Sequence, residues 1–354
     1  MLASRYIRDM AWKGLIDRYG DRMNISKHVH PVTLNEGNTP LIPAERLKSE
    51  IVPGCELYFK YEGLNPTCSF KDRGMTTAIT QAVADGAKSV ICASTGNTAA
   101  SAAAYAARAG LKCVVLIPEG KVAMGKLAGA VAYGADVISI EGSFDDGLRM
   151  VQEVAASGEI ALVNSVNPAR LEGQKTAAWE VTEQLGQSPD WLCLPVGNAG
   201  NISAYWLGFC EAEEKPRLLG AQAQGAAPIV YGRRVDNPET VATAIRIGNP
   251  ARWKQAEAAL SESNGMILAV TDDEILDCYM LLAQREGVFC EPSSAAGVAG
   301  LRKAYKENPT AFEGRKIVCV LTGHGLKDPD SALKLQGEVK KIPADTDALM
   351  RALK

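Results

Sequence analysis

From residue 89 onwards, short runs of β-branched and other apolar residues alternate with longer helix-like runs. This alternation restricts the fold more than any other feature of the chain. Ser89–Ala93 (SVICA), Lys112–Ile117 (KCVVLI), Asp136–Ile140 (DVISI) and Ile160–Val163 read as strands. Between them, Thr98–Arg108 is alanine-rich and can close at Gly110. Ala123–Tyr133 stops at Gly134, and Phe144–Ala156 is a third helix. Strands separated by helices of this length predict a parallel, doubly wound sheet. A second set follows: helices Leu171–Leu185 and Asn201–Glu214, strands Trp191–Val196 and Leu218–Ala223, then helix Ser293–Tyr305 and strand Lys316–Leu321. Thr271-Asp-Asp-Glu274 is a capping box that opens a helix running to Gly287. The fold class is therefore α/β with two α/β units. No low-complexity linker or short-period repeat marks the boundary. We assign 54–151 to a smaller domain, and 1–53 with 152–354 to a larger one. Residues 338–354 read as a charged peripheral tail or helix.

Bulk properties exclude several function classes. A length of 354 residues suits two domains. The net charge of -3 argues against a nucleic-acid binder, which would show a basic face. No run of eighteen apolar residues occurs, so no membrane span is expected. The segment MLASRYIRDMAWKGL lacks an uncharged apolar core and contains Asp9, unlike a signal or transit peptide. A cytoplasmic protein is expected. The nine cysteines are scattered without a CxxC, which reads as reduced, mostly buried thiols. With three histidines, His28, His30 and His324, no metal site is expected.

Four segments carry candidate chemistry, each at a strand end or a helix start. The first is Asn65-Pro-Thr-Cys-Ser-Phe-Lys-Asp-Arg-Gly74, which follows the extended segment Glu56–Tyr61 and opens a helix near Ser69. A lysine there sits beside the positive end of the helix dipole. With burial, that lowers its pKa and frees Lys71 as an amine nucleophile. Out of context, the same lysine reads as a solvated helix-start residue. The second is Ala93-Ser-Thr-Gly-Asn-Thr98, a hydroxyl- and amide-lined turn at a strand's carboxyl end, where ligands bind in open α/β sheets. Backbone N–H groups at the following helix start suit a carboxylate. The same residues also make an ordinary turn capped by Thr98. The third is Val196-Gly-Asn-Ala-Gly-Asn201, whose amides can form an anion nest. It is neither GxGxxG nor a P-loop. The fourth is Val320-Leu-Thr-Gly-His-Gly325, where the Thr322 hydroxyl, or less directly His324, is placed to face a ring nitrogen. A simple glycine turn with a satisfied histidine is the other reading. Together they supply an amine, a carboxylate pocket, a phosphate nest and a ring contact, the parts needed by pyridoxal phosphate and an amino acid.

At these residues the chain resembles the fold-type II (tryptophan-synthase-like) pyridoxal-phosphate enzymes, and within them the threonine-synthase branch. Asn65–Gly74 is similar to that branch's cofactor-lysine motif, with Cys68 where glycine is common. Leu34-Asn-Glu-Gly-Asn-Thr-Pro-Leu41, Pro118-Glu-Gly-Lys-Val-Ala123, Ala244-Ile-Arg-Ile-Gly-Asn-Pro250 and Gly323-His-Gly-Leu-Lys-Asp-Pro329 extend the resemblance over nearly the whole chain. The resemblance implies two doubly wound α/β domains with the cofactor cleft between them. It implies pyridoxal 5'-phosphate held covalently by Lys71, which also shuttles protons. Asn97 meets the cofactor's phenolic oxygen, Gly197, Asn198, Ala199, Gly200 and Asn201 its phosphate, and Thr322 its pyridine nitrogen. Ser94, Thr95 and Thr98 would hold the substrate carboxylate. Asn164, Ser165 and Arg170 would meet the substrate phosphate. The implied reaction converts O-phospho-L-homoserine and water to L-threonine and phosphate, and the implied assembly is a homodimer. Regulation through a large N-terminal extension is not expected. A threonine or serine dehydratase shares the S-F-K-x-R-G pattern and is the nearest alternative. A non-catalytic cofactor-binding sensor is disfavoured by Lys71, and a nicotinamide dehydrogenase by the lack of an early GxGxxG.

Overall fold

The computed structural model describes residues 11–119, 124–142, 144–156, 158, 160–335 and 341–353. Its ten strands are β1 (Leu41–Pro43), β2 (Glu56–Tyr61), β3 (Ser89–Ala93), β4 (Lys112–Pro118), β5 (Asp136–Ile140), β6 (Ile160–Leu162), β7 (Trp191–Pro195), β8 (Arg217–Ala223), β9 (Met266–Val270) and β10 (Lys316–Leu321). The helices that matter for the site are α1 (Lys71–Ala84), α2 (Asn97–Ala109), α3 (Met124–Ala132), α4 (Phe144–Ala155), α5 (Pro168–Gln174), α6 (Thr176–Leu185), α7 (Gly200–Phe209), α8 (Trp253–Glu262), α9 (Asp272–Glu286) and α10 (Pro292–Glu307).

The strands form two sheets. One has the order β5-β4-β3-β6 and is wholly parallel. The other has the order β1-β2-β10-β7-β8-β9, parallel except where β1 runs against β2. Sheet membership crosses the expected domain edges at both ends. β2 lies beyond residue 54 yet pairs with β10 in the larger sheet, and β6 lies beyond residue 151 yet pairs with β3 in the smaller one. The chain enters and leaves the smaller sheet through loops that have no linker composition, so neither edge carried a sequence signal.

In each sheet the strand order reverses once, between β3 and β6 and between β7 and β10. Ligands bind at such switch points, outside the carboxyl ends of the strands. The second, third and fourth candidate loops lie there, and the first follows the neighbouring β2. A glycine pair brings the first of them to its neighbour. A Cβ on Gly173 would lie 1.8 Å from the Arg73 carbonyl oxygen, and one on Gly74 would lie 2.5 Å from Arg170 Nε. Backbone contact between α1 and α5 thus requires both glycines, and it sets Arg170 beside the Lys71 turn.

Three elements differ from expectation. The helix read as Leu171–Leu185 is two helices, opened at Pro168 with Asn167 as N-cap, and divided at Lys175. At the division the Thr176 hydroxyl donates to the Gly173 carbonyl (2.6 Å), in competition with the helical ladder. The helix read as Asn201–Glu214 ends at Phe209. β9 and α8, both unread in the sequence, complete the larger unit. In the tail, Thr346–Ala352 is helical, while 336–340 lie outside the described residues, as do 120–123 of the Pro118–Ala123 motif. All nine cysteines are free, and only Cys68 and Cys210 are not buried. No helix among the described residues is long and apolar enough to cross a membrane.

Candidate active site

Lys71 is the first residue of α1, and the chain before it is held on both sides. The Phe70 N–H donates to the Thr322 carbonyl (3.0 Å), Ser69 bridges to Gly323, and the His324 N–H donates to the Cys68 carbonyl (3.0 Å). The first and fourth candidate loops are therefore one hydrogen-bonded unit. Cys68 takes a left-handed conformation (φ 64°), which explains why glycine suits that position. Asp72, fully buried, accepts from the Thr67 N–H (2.6 Å), the Thr67 hydroxyl (2.5 Å) and the Ser101 hydroxyl (2.6 Å). It ties the lysine loop to α2. Burial lowers the Lys71 amine from 10.5 to about 7; the Arg170 charge acts in the same direction and Glu291 opposes it. At neutral pH a large share of this amine is free to attack a carbonyl.

Beneath Lys71 lies a buried network of two cations and two carboxylates. Arg73 forks to Glu62 (2.6 and 2.7 Å) and to Glu180 (2.7 Å twice), and Lys60 donates to Glu180 (2.8 Å) and the Thr39 carbonyl (2.7 Å). Burial alone would raise the Glu180 carboxyl, but Arg73 and Lys60 hold it down at about 2. Gly37 N–H donates to Asn65 (2.9 Å), so the Leu34–Leu41 motif packs directly under the lysine loop.

The second loop follows β3. Asn97 opens α2, and its amide nitrogen donates to both oxygens of Glu291 (3.2 and 3.1 Å). Ser94 Oγ accepts from the Gly96 N–H (3.3 Å), while Thr98 lies in the first turn of α2. Thr322, buried at the end of β10, lies 3.0 Å from the Ser294 hydroxyl and donates weakly to Glu291 (3.5 Å). His324 is engaged elsewhere: Nδ1 accepts from the Leu326 N–H (3.1 Å) and its ring stacks on Tyr61. Glu291 was absent from the sequence reading. Its signal was weak, a glutamate before Pro292 at a helix start.

In the third loop, Ala199 is left-handed (φ 62°) directly before α7, the geometry of an amide nest. Asn201 Nδ2 is buried there without a hydrogen-bond partner. A Cβ on Gly197 would lie 3.0 Å from Ile245 Cα, and Asn198 Oδ1 accepts from the Ala251 N–H (3.1 Å). The Ala244–Pro250 motif is therefore the wall of this loop.

The Asn164–Arg170 segment follows β6. Both polar atoms of the Asn164 side chain bond the Ala93 backbone (2.9 Å each), continuing the β3–β6 ladder past its end. Its observed work is to splint the two strands, although Nδ2 keeps a second hydrogen. Arg170 is buried, with Nη1 donating to the Val163 carbonyl (2.8 Å) and Nε unpartnered. Burial lowers its pKa to about 10. Arg252 donates to the carbonyls of Ser165 (3.0 Å) and Val166 (3.2 Å), and its own N–H donates to the Asn198 carbonyl (3.3 Å). The Ser165 and Gly200 loops thus face each other across a distance of one side chain. A hollow of about 850 Å³, lined by Lys88, Ser89, Ile160 and Val166 among others, is reached by this segment but holds none of the candidate cofactor or substrate residues. No cluster among the described residues is arranged to bind a metal ion.

The parts fit pyridoxal phosphate: an amine lowered to about 7, an amide nest with an orphaned buried donor, and an amide and a hydroxyl that meet at one carboxylate. The profile described as pyridoxal-phosphate dependent enzyme matches residues 32–323, and the chain belongs to that family. The threonine synthase of Synechocystis sp. is 55% identical over 97% of this chain and 91% of its own length. That of Mycobacterium tuberculosis is also 55% identical, over 97% of this chain and 96% of its own. Among solved structures, maize serine racemase superposes with a TM-score of 0.74 over 84% of this chain and 92% of its own; at 23% identity this likeness concerns the fold alone.

Proposed function

We propose that this protein converts O-phospho-L-homoserine and water to L-threonine and phosphate with pyridoxal 5'-phosphate as cofactor, as a cytoplasmic homodimer. What supports the reading is that two separate segments each hold a buried donor without a hydrogen-bond partner, Asn201 Nδ2 in Gly197–Asn201 and Arg170 Nε in Asn164–Arg170, and that the Arg170 charge is felt at Lys71. A single-phosphate enzyme needs only one such segment. Identity of 55% to threonine synthases over nearly the full chain supports the substrate. The homodimer and the cytoplasmic location rest on family resemblance and on the composition.

Bound at Lys71, pyridoxal phosphate would supply an electron sink for carbanions at the substrate's α- and β-carbons. The protein supplies the rest. Gly197, Asn198, Ala199, Gly200 and Asn201 hold the cofactor phosphate, with the free Nδ2 of Asn201 as one donor. Asn97 and Thr322 hold the ring. Ser94, Thr95 and Thr98, with the α2 amides, take the substrate carboxylate. Lys71, its amine lowered to about 7 and so able to take up and release a proton near neutral pH, moves protons to and from the α- and β-carbons. Ser165 and Arg170 grip the phosphate that leaves from the γ-carbon, with the unpartnered Nε of Arg170 in reserve. Asn164 acts here chiefly by holding that loop on β3.

The test is to supply O-phospho-L-homoserine and L-threonine separately to the wild type and to Arg170→Ala. Wild type releases phosphate from the first and leaves the second intact. A charged hydrogen bond of roughly 1.5–3 kcal/mol is lost in the variant, so its kcat/KM falls by roughly one to two decades with cofactor affinity retained. Consumption of L-threonine with no phosphate release would instead make the protein a dehydratase.

A further inference from the structure

Arg252 stands at the N-cap of α8, a position that favours small polar residues and where a cation meets the positive end of the helix dipole. Its side chain makes no capping hydrogen bond. It leaves the helix and forks onto a segment far away in the chain: Nε donates to the Ser165 carbonyl (3.0 Å) and Nη2 to the Val166 carbonyl (3.2 Å). The backbone at the same place holds a different loop. The Arg252 N–H donates to the Asn198 carbonyl (3.3 Å), and the Ala251 N–H to Asn198 Oδ1 (3.1 Å). Arg252 is thus bonded on one side to the Gly197–Asn201 loop and on the other to the Asn164–Arg170 segment. These two approach closely, since a Cβ on Gly200 would lie 3.8 Å from Ser165 Cβ. Arg170 holds the Val163 carbonyl (2.8 Å), so two arginines together fix the backbone from Val163 to Val166. Arg252 is partly buried, and burial lowers its pKa with no carboxylate among the described residues to offset it. An arginine that does not serve its own helix, and that is bonded to two loops, acts on those loops.

We infer that Arg252 is a positioning residue of this site: its fork holds the Ser165–Val166 turn at a fixed distance from the Gly197–Asn201 loop, and so sets the spacing between the substrate phosphate and the cofactor phosphate. The inference rests on the substrate reading given above and deepens it. Spacing measures substrate length. O-phospho-L-homoserine carries its phosphate one carbon further from the amino-acid centre than O-phospho-L-serine does, and a turn held at a fixed distance favours the longer ester over the shorter. Arginine's planar guanidinium offers two fixed donors to adjacent carbonyls, whereas a lysine brings the charge without the fork. The hold on Asn198 is made by backbone N–H groups, which lysine or alanine at this position retains. Loss of the side chain therefore frees the Ser165 turn and leaves the cofactor loop in place.

The experiment compares wild type, Arg252→Lys and Arg252→Ala in three titrations: pyridoxal phosphate into cofactor-free protein, inorganic phosphate into cofactor-loaded protein, and O-phospho-L-homoserine against O-phospho-L-serine in loaded protein, the last read by visible absorbance. Both variants bind inorganic phosphate roughly tenfold more weakly than wild type, the size of a lost hydrogen bond to a charged group, while pyridoxal-phosphate affinity is unchanged. The preference for the homoserine ester shrinks in both. Phosphate affinity that stays at the wild-type value overturns the inference. So does a lysine that restores both affinity and preference, because charge alone would then suffice. Equal losses for pyridoxal phosphate and inorganic phosphate overturn it too, as the mark of a general loosening. Should Arg252→Ala not fold, Arg252→Lys decides alone. Loaded wild type that binds neither inorganic phosphate nor the homoserine ester sinks the substrate reading beneath the inference, a result that the wild-type titrations give without any variant.

Discussion

Lys71 draws its reactivity from its position and not from its type. Burial at the mouth of α1, reinforced by Arg170, lowers the amine from 10.5 to about 7. The attacking form is the neutral amine, so the rate at which cofactor-free protein takes up pyridoxal phosphate rises with pH through a midpoint near 7. Stopped-flow absorbance across that range measures it; a midpoint near the ordinary lysine value would mean that the amine is solvated. Lys71→Ala leaves cofactor that no borohydride treatment fixes to the chain. At this scale the sequence was informative where a residue's neighbours in the chain are also its neighbours in space. Lys71, the Ala199 nest and the Thr322 turn were legible for that reason. Glu291 was not, because its partners Asn97 and Thr322 lie far from it along the chain. Nor was the splint that the Asn164 amide makes between β3 and β6, a pairing that no local pattern announces.

Among the elements, α1 is the one on which the site depends, and Arg73 anchors it. The fork from Arg73 to Glu62 and Glu180 joins α1 to the end of β2 and to α6, with all three side chains buried. Removing one member of a buried ion pair leaves an uncompensated charge at a cost of about 3–5 kcal/mol. Arg73→Met therefore lowers the unfolding free energy of cofactor-free protein by about that amount, read from a urea transition with unchanged slope. A loss below about 1 kcal/mol would show that water reaches the network. Local periodicity predicted most strands and helices, because each buries its own apolar face. The break between α5 and α6 escaped it, since Thr176 competes for the Gly173 carbonyl inside an otherwise continuous helical pattern. The assignment of β2 and β6 to their sheets escaped it too, being a matter of pairing across long loops.

For the molecule as a whole, the proposed reading joins the two switch points: the β7–β10 edge would take the cofactor phosphate and ring nitrogen, and the β3–β6 edge the substrate and, through Asn97, the cofactor's phenolic oxygen. The central claim is that phosphate leaves by carbon–oxygen cleavage at the γ-carbon and that water enters at the β-carbon. Turnover of O-phospho-L-homoserine in ¹⁸O-labelled water tests it most directly, with product isotopes read by mass spectrometry. The account predicts threonine and phosphate in equal amounts, with ¹⁸O in the threonine hydroxyl and none in the phosphate. Label in the phosphate, with homoserine as the product, would mean phosphorus–oxygen cleavage and would contradict it.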